Sequence, residues 1–191
     1  MNMASSSPPR SSRSLSRLVA GGALVAATGV QGVALGLPAE GEKAPNARVE
    51  DADGRALEMK SLQGKPIIIM YEDKESSSQN KAFKDELGKL AKGDRYKKTV
   101  ALAAIADVSG YNFWPAKGFV KDAIREESVK AGTTIYCDWD GSFRKKYRLR
   151  AGVSSVLLVS RAGEVLFAAE GTLSAERRGQ IIELLKSEIA K

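Results

Sequence analysis

The chain has 191 residues, with 30 lysines and arginines against 23 acids, a formal charge of +7, no histidine and one cysteine, Cys137. Without histidine there is no Ser-His-Asp or Cys-His nucleophile pair and no His-ligated zinc or haem. With one cysteine there is no internal disulfide, CxxC motif or cysteine-rich metal site. Nor does the charge mark a nucleic-acid binder. Arg10, Arg13 and Arg17 precede the first acid, Glu40, and the 27 basic and 23 acidic residues that remain are interspersed, not clustered on one stretch.

Residues 1–36 read as an export signal. Met1 to Arg17 is rich in Ser and Arg and free of acids, Leu18 to Leu37 is apolar, and Ala34-Leu35-Gly36 puts small residues before a cut at Leu37. No cysteine follows the apolar stretch, which excludes a lipoprotein anchor. The stretch is also about long enough to span a bilayer uncleaved, the one route to membrane attachment in this reading. An organellar transit peptide shares the composition, but the long apolar core argues against it. Signal and anchor both place the domain outside the cytoplasm, periplasmic or secreted, because the basic end stays inside.

Residues 37–45 are expected as a linker and 46–191 as one domain. Ala47 to Leu62 reads as a hairpin turning at Asp51-Ala52-Asp53-Gly54. The same DxDG resembles the start of a calcium loop, but the later ligands are missing, so a turn is expected and no metal site. Ile67 to Tyr71 is an apolar run suited to a strand covered on both faces. Ser76 to Gln79 has the S-x-x-Q capping pattern, which predicts a helix starting there, with Phe83, Leu87 and Leu90 on its buried side. Lys92-Gly93-Asp94 ends that helix. Thr99 to Ala106 is a second strand, apolar on both faces. A loop from Asp107 to Trp114 leads to a helix over Pro115 to Lys130, with Phe119, Ala123 and Ile124 on its apolar, inward side and Gly132 closing it. Thr133 to Cys137 is a short strand, Asp138 to Gly141 a turn, and Phe143 and Tyr147 lie one helical turn apart. Val156 to Ser160 and Glu164 to Ala169 form a hairpin, and Ser174 caps a last helix carrying Ile181, Leu185 and Ile189.

That order, β-α-β-α-β, then a β-hairpin, then α, resembles the thioredoxin superfamily. Three stretches carry the resemblance: GEKAPNARVEDADGRALEMKSLQGKPIII, CDWDGSFRKKYRL and VLLVSRAGEVLFAAEGTLSAE. It implies an α/β thioredoxin-like fold, a central mixed sheet flanked by helices with an N-terminal β extension, like that of the TlpA and AhpC/TSA branches. More narrowly, DRYKKTV, SSVLLVSRAGEV and EGTLSAE are similar to the YtfJ-like family of small periplasmic proteins.

The resemblance also says what is missing. The thioredoxin CxxC falls on Glu75-Ser76-Ser77-Ser78. The peroxiredoxin P-x-x-x-T-x-x-C falls on Glu72, Ser76 and Gln79. The cis-proline opposite the thiols falls on Ser154. No thiolate is present at any of these positions, and a serine without a histidine base is no substitute. With no thiol pair to face, a trans bond is expected between Val153 and Ser154. Cys137 is the weak remaining redox candidate. Its neighbour Asp138 disfavours a thiolate, so a half-buried structural cysteine and an intermolecular disulfide are the two readings.

The sequence therefore predicts a binding or interaction protein of the cell envelope without a catalytic centre or cofactor. Its partner would be an envelope protein or peptide and not nucleic acid. A thiol-dependent antioxidant or oxidoreductase using Cys137 with a partner thiol is the alternative. Ligands of open α/β sheets gather beyond the C-terminal ends of parallel strands. There Glu75 to Ser78, Asp107 to Trp114 and Gly152 to Ser155 should meet. Asp107, Tyr111, Phe113, Trp114 and Ser155 are the candidate binding residues. The three aromatics either anchor a partner or fold back over the core edge.

Overall fold

The computed structural model describes residues 36–191; the leader expected over 1–36 lies outside the described residues except for Gly36. Seven strands are present: β1 (Arg48–Asp51), β2 (Ala56–Glu58), β3 (Ile67–Glu72), β4 (Ala101–Asp107), β5 (Ile135–Asp138), β6 (Ser155–Val159) and β7 (Val165–Glu170). Five helices accompany them: α1 (Lys81–Leu90), α2 (Asp94–Thr99), α3 (Ala116–Ala131), α4 (Ser142–Tyr147) and α5 (Ala175–Ala190). The strands form one mixed sheet in the order β2-β1-β5-β4-β3-β6-β7. The apolar run Ile67 to Tyr71 makes β3 the centre, parallel to β4 and antiparallel to β6. Both β3 and β6 are buried along almost their whole length, as strands covered on both faces must be.

Alternation along these strands feeds two cores. Ile67, Ile69, Tyr71, Leu157 and Val159 meet Phe143 and Tyr147 of α4 on one face. Tyr71, Phe143 and Tyr147 stack in a column, with ring centroids 5.6 and 4.3 Å apart. Ile68, Met70, Val156, Leu158 and Phe167 meet Phe83 and Leu87 of α1 and Ile181 and Leu185 of α5 on the other. A smaller cluster of Val108, Cys137 and Trp139, with Ala106, Val120 and Ile124, docks α3.

The predicted order of elements holds, and four details differ. First, α1 begins at Lys81, not at Ser76. Ser76 bonds backward to Asp73 and so has no oxygen left to cap a helix. Second, α2 fills the stretch from Asp94 to Thr99, where the sequence pattern gave only a helix end. Third, β4 is covered on one face and half-covered on the other. Leu102 is partly exposed, because α3 has no fully buried residue and touches the sheet through Val120 and Ile124.

Fourth, the stretch expected as a linker works as a strap. Gly41 N donates to Val165 O, Val165 N to Glu42 O, and Ala44 N to Gly163 O, all at 2.8 to 2.9 Å. Leu37 packs on the first core, and Glu42 pairs with Arg148 at 2.6 Å. The start of β7 is an edge whose backbone groups need partners, and the strap supplies them.

The DxDG segment is a turn. The Asp51 carboxylate accepts from Asp53 N, Arg55 N and the Arg55 side chain, which leaves it turned inward. Among the described residues no helix is long and apolar enough to cross a membrane.

Candidate functional site

The C-terminal ends of β3, β4 and β5 and the start of β6 lie at one pole of the sheet, and the three expected segments meet around it. Where thiol chemistry would sit, the pole is filled by side chains that bond to each other. Ser76 is fully buried. Its N–H and Oγ–H both donate to Asp73 Oδ1, at 2.8 and 2.6 Å, and its Oγ accepts from Asp73 N at 3.0 Å. Burial pushes the Asp73 carboxyl up, but the bonds from Ser76 and from Gly152 N outweigh it and hold the carboxyl below its ordinary value. Fully buried, this hydroxyl is closed off from any substrate in this arrangement. Glu75, Ser77 and Ser78 are exposed, and Ser77 Oγ donates to Lys74 O at 2.8 Å.

Ser154, expected from the resemblance at the cis-proline position, is fully buried and makes four hydrogen bonds. Its N–H donates to Gln79 Oε1 at 3.1 Å and its Oγ–H to Glu72 Oε1 at 2.9 Å. Its Oγ accepts from Asn80 Nδ2 at 2.8 Å, and its carbonyl accepts from Gly171 N at 2.8 Å. Asn80 also donates to Gly171 O and accepts from Leu173 N, both at 2.9 Å. Glu72 Oε2 is held by Lys84 Nζ at 2.5 Å, which also donates to Ser77 O. The Val153–Ser154 bond is trans, as expected; the cis bond among the described residues is Trp114–Pro115.

Sequence reasoning marked Ser154 but missed Asn80 and Lys84, and it placed Gln79 in a capping pattern and Glu72 at a motif position without linking either to Ser154. One local signal existed. Asn80 is a helix-capping residue type directly before Lys81, yet its side chain makes no cap bond.

A second polar group lies on the other face of the same pole. Tyr71 Oη donates to Asp138 Oδ2 at 3.0 Å, and Asp138 also accepts from Phe143 N and Arg144 N. Arg144 Nη1 donates to Asp107 Oδ2 at 3.1 Å, and Asp107 Oδ1 accepts from Ser109 N and Oγ. Burial raises the Asp138 carboxyl above its ordinary value despite these bonds, and burial together with Asp138 raises Tyr71. Asp107 is thus bound within the protein. Ser155 is fully buried, with no hydrogen-bond partner for its Oγ among the described residues.

Cys137 is 1% exposed, sits between Glu50 of β1 and Ala106 of β4, and has its thiol pushed up to about 11, mainly by burial. Its position inside the sheet matches the structural reading and leaves no path to a second chain. Among the described residues no cluster of acids or cysteine could hold a metal.

The aromatics behave differently. Tyr111 is 45% exposed, Phe113 59% and Trp114 91%. Phe119, one turn into α3 and predicted to face inward, is 72% exposed. The inward side of α3 is taken by Val120 and Ile124 instead. Of the two outcomes left open for the loop, cover for the core edge or a free surface, the loop takes the second.

The sheet order and the pole define an α/β thioredoxin-like domain with a single cysteine and no disulfide pair. Residues 50–188 match a family described as "bacterial protein of unknown function (YtfJ_HI0045)", and the chain belongs to it. Among curated proteins it is similar to the chloroplastic peroxiredoxin Q of Oryza sativa subsp. japonica, 25% identical over 176 residues, 86% of this chain and 75% of that one. Among solved structures it is similar to a Chlorobium tepidum protein provisionally designated thiol:disulfide interchange protein DsbE, with TM-score 0.61 and 17% identity over 80% of this chain and 99% of that one. It is also similar to the thioredoxin domain of a thiol-disulfide oxidoreductase from Bacteroides vulgatus, with TM-score 0.56 and 15% identity over 77% and 98%. At these identities the structures share the fold alone.

Proposed function

We propose that the chain is an exported, non-catalytic binding domain of the cell envelope that engages its partner through the loop between β4 and α3. The observation that carries this reading is the exposure of Trp114, Phe113 and Phe119 on a domain whose Ser154, Glu72 and Lys84 are already bonded to one another. Loops carry function when a rigid scaffold presents them, and this loop leaves β4 at Asp107, which Arg144 of α4 holds at 3.1 Å. The lack of histidine, the buried Cys137 and the inward-bonded Ser76 support the absence of catalysis. The pattern of residues 1–36 supports the envelope location.

A photo-crosslinking residue at position 114, compared with one at exposed Glu183 on α5, tests it in the native host. Adducts at 114 and not at 183 are expected; equal labelling at both removes the loop as the contact surface. The thiol-dependent alternative predicts peroxide consumption or disulfide reduction that vanishes in Cys137→Ser, and such activity would overturn the non-catalytic reading.

A further inference from the structure

We infer that the partner of this loop is an anionic lipid surface, on which residues 110–121 seat the domain. The inference rests on the loop being the contact surface and adds what it contacts. From Val108 to Lys121 the chain carries four exposed aromatics, Tyr111, Phe113, Trp114 and Phe119, two lysines, and no acid. Neither lysine has a carboxylate partner among the described residues. Lys117 Nζ donates to Asn112 Oδ1 and lies 4.6 Å from the Trp139 ring centroid.

Two carboxylates at the borders of the segment have cationic partners: Asp107 is paired with Arg144 at 3.1 Å, and Asp122 with Arg125 at 2.6 Å, which Asp53 shares at 2.8 Å. Asp140, on the neighbouring turn, is bonded to Ser142 N and keeps its charge. The charge within residues 108–121 is therefore positive, on two half-buried lysines that flank Phe119 in the chain. Trp and Tyr with flanking lysines are the combination that settles at the headgroup level of a bilayer, rings inward and ammonium groups toward anionic heads.

The shape of the surface favours the same partner. Two concavities lie elsewhere, one under the strap against Tyr147 and one along Arg125 to Lys130, and neither includes any of the four aromatics. The rings project from the surface. A folded protein partner would have to bring the pocket itself, whereas a bilayer interface yields to a projecting ring.

The chain has two tryptophans, Trp114 exposed and Trp139 buried, so fluorescence can watch the loop directly. The full chain carrying Trp139→Phe, which leaves Trp114 as the reporter, is titrated with vesicles of phosphatidylethanolamine and phosphatidylglycerol, and with vesicles of phosphatidylcholine. Some of each kind carry brominated acyl chains. Quenching by brominated lipid reads contact at position 114 whatever the leader does.

The expected result is a blue shift and quenching on the anionic vesicles and little on the neutral ones. Lys117→Gln with Lys121→Gln should weaken the effect several-fold. As a control, Trp114→Phe in an otherwise unchanged chain reports Trp139 alone and should show no quenching; it also serves if Trp139→Phe does not fold, since wild type minus this control isolates Trp114. Trp114 left unquenched on anionic vesicles overturns the inference, as does equal quenching on neutral ones. If Trp114 stays unquenched while a crosslinker at 114 captures a protein in the envelope, the lipid assignment fails and the contact surface stands. If neither occurs, both fail.

Discussion

Ser154 Oγ donates to Glu72 Oε1 at 2.9 Å, tying the residue before β6 to the end of β3 at one pole of the sheet. Asn80 and Lys84 close the arrangement from the side of α1. The bonds from Ser154 to Glu72, Gln79 and Asn80 join segments more than seventy residues apart.

Removing the hub should therefore cost stability without touching any activity. Ser154→Ala leaves Asn80 Nδ2 and Glu72 Oε1 each short of a partner inside the protein. A loss of about 1–3 kcal/mol is expected in urea unfolding. Combined with Glu72→Gln, the two effects should fall well short of additive, because the residues share one network.

The Cys137 thiol should not react with a disulfide reagent in the folded protein and should react fully in denaturant. Its folded value of about 11 lies above the ordinary 9.0. In the window between these values the folded state holds a proton that the unfolded state has lost. Stability from this group is thus complete below about pH 9 and falls as pH rises through 11. Cys137→Ala should flatten that part of the profile, read as the urea midpoint at successive pH values.

For Asp138 burial outweighs the hydrogen bonds, so its carboxyl titrates above the ordinary carboxylate value. Tyr71→Phe removes one of the bonds that oppose the shift and should move the titration further up, visible in the carboxyl carbon resonance by NMR. The sign for stability follows. The contribution of the raised carboxyl is present at low pH and lost as pH rises through its folded value.

Trp114→Ala should leave the thermal transition within about 0.5 kcal/mol of wild type, as expected for an exposed side chain that the core does not use. Phe143→Ala is the contrast. It removes the middle ring of the stacked column, and a loss of about 3–5 kcal/mol is expected. Circular dichroism on both variants separates a surface aromatic from a core one.

Much of the architecture is written in short-range patterns. The run Ile67 to Tyr71 named the central strand, the turn residues at 161–163 named the last hairpin, and Ser174 does cap α5 through Arg177 N at 3.2 Å. Local pattern failed where a side chain had two possible partners. Ser76 fits a helix cap by spacing, yet Asp73, three residues back, takes it. Asn80 looks like a cap and is spent on Ser154 and on the backbone of Gly171 and Leu173. Nothing within a few residues of Asn80 announces a partner 74 positions away. The exposure of Phe119 was hidden for a similar reason. Its helical phase is set by which side of α3 meets Ala106 and Trp139, and that depends on how the helix docks.

The strap along β7 sets how far the domain can lean from an attachment point. Arg148 Nε holds Gly36 O at 2.8 Å at the far end of α4, beside the start of β3, while Trp114 follows the end of β4. A six-residue strand at about 3.3 Å per residue separates those levels by about 20 Å, and residues 37–45, being bonded down, contribute no slack. Any segment that precedes the strap therefore leaves the domain beside α4 and not beside the aromatic loop, and a tether attached there and the loop's own contacts act at separate places on the domain.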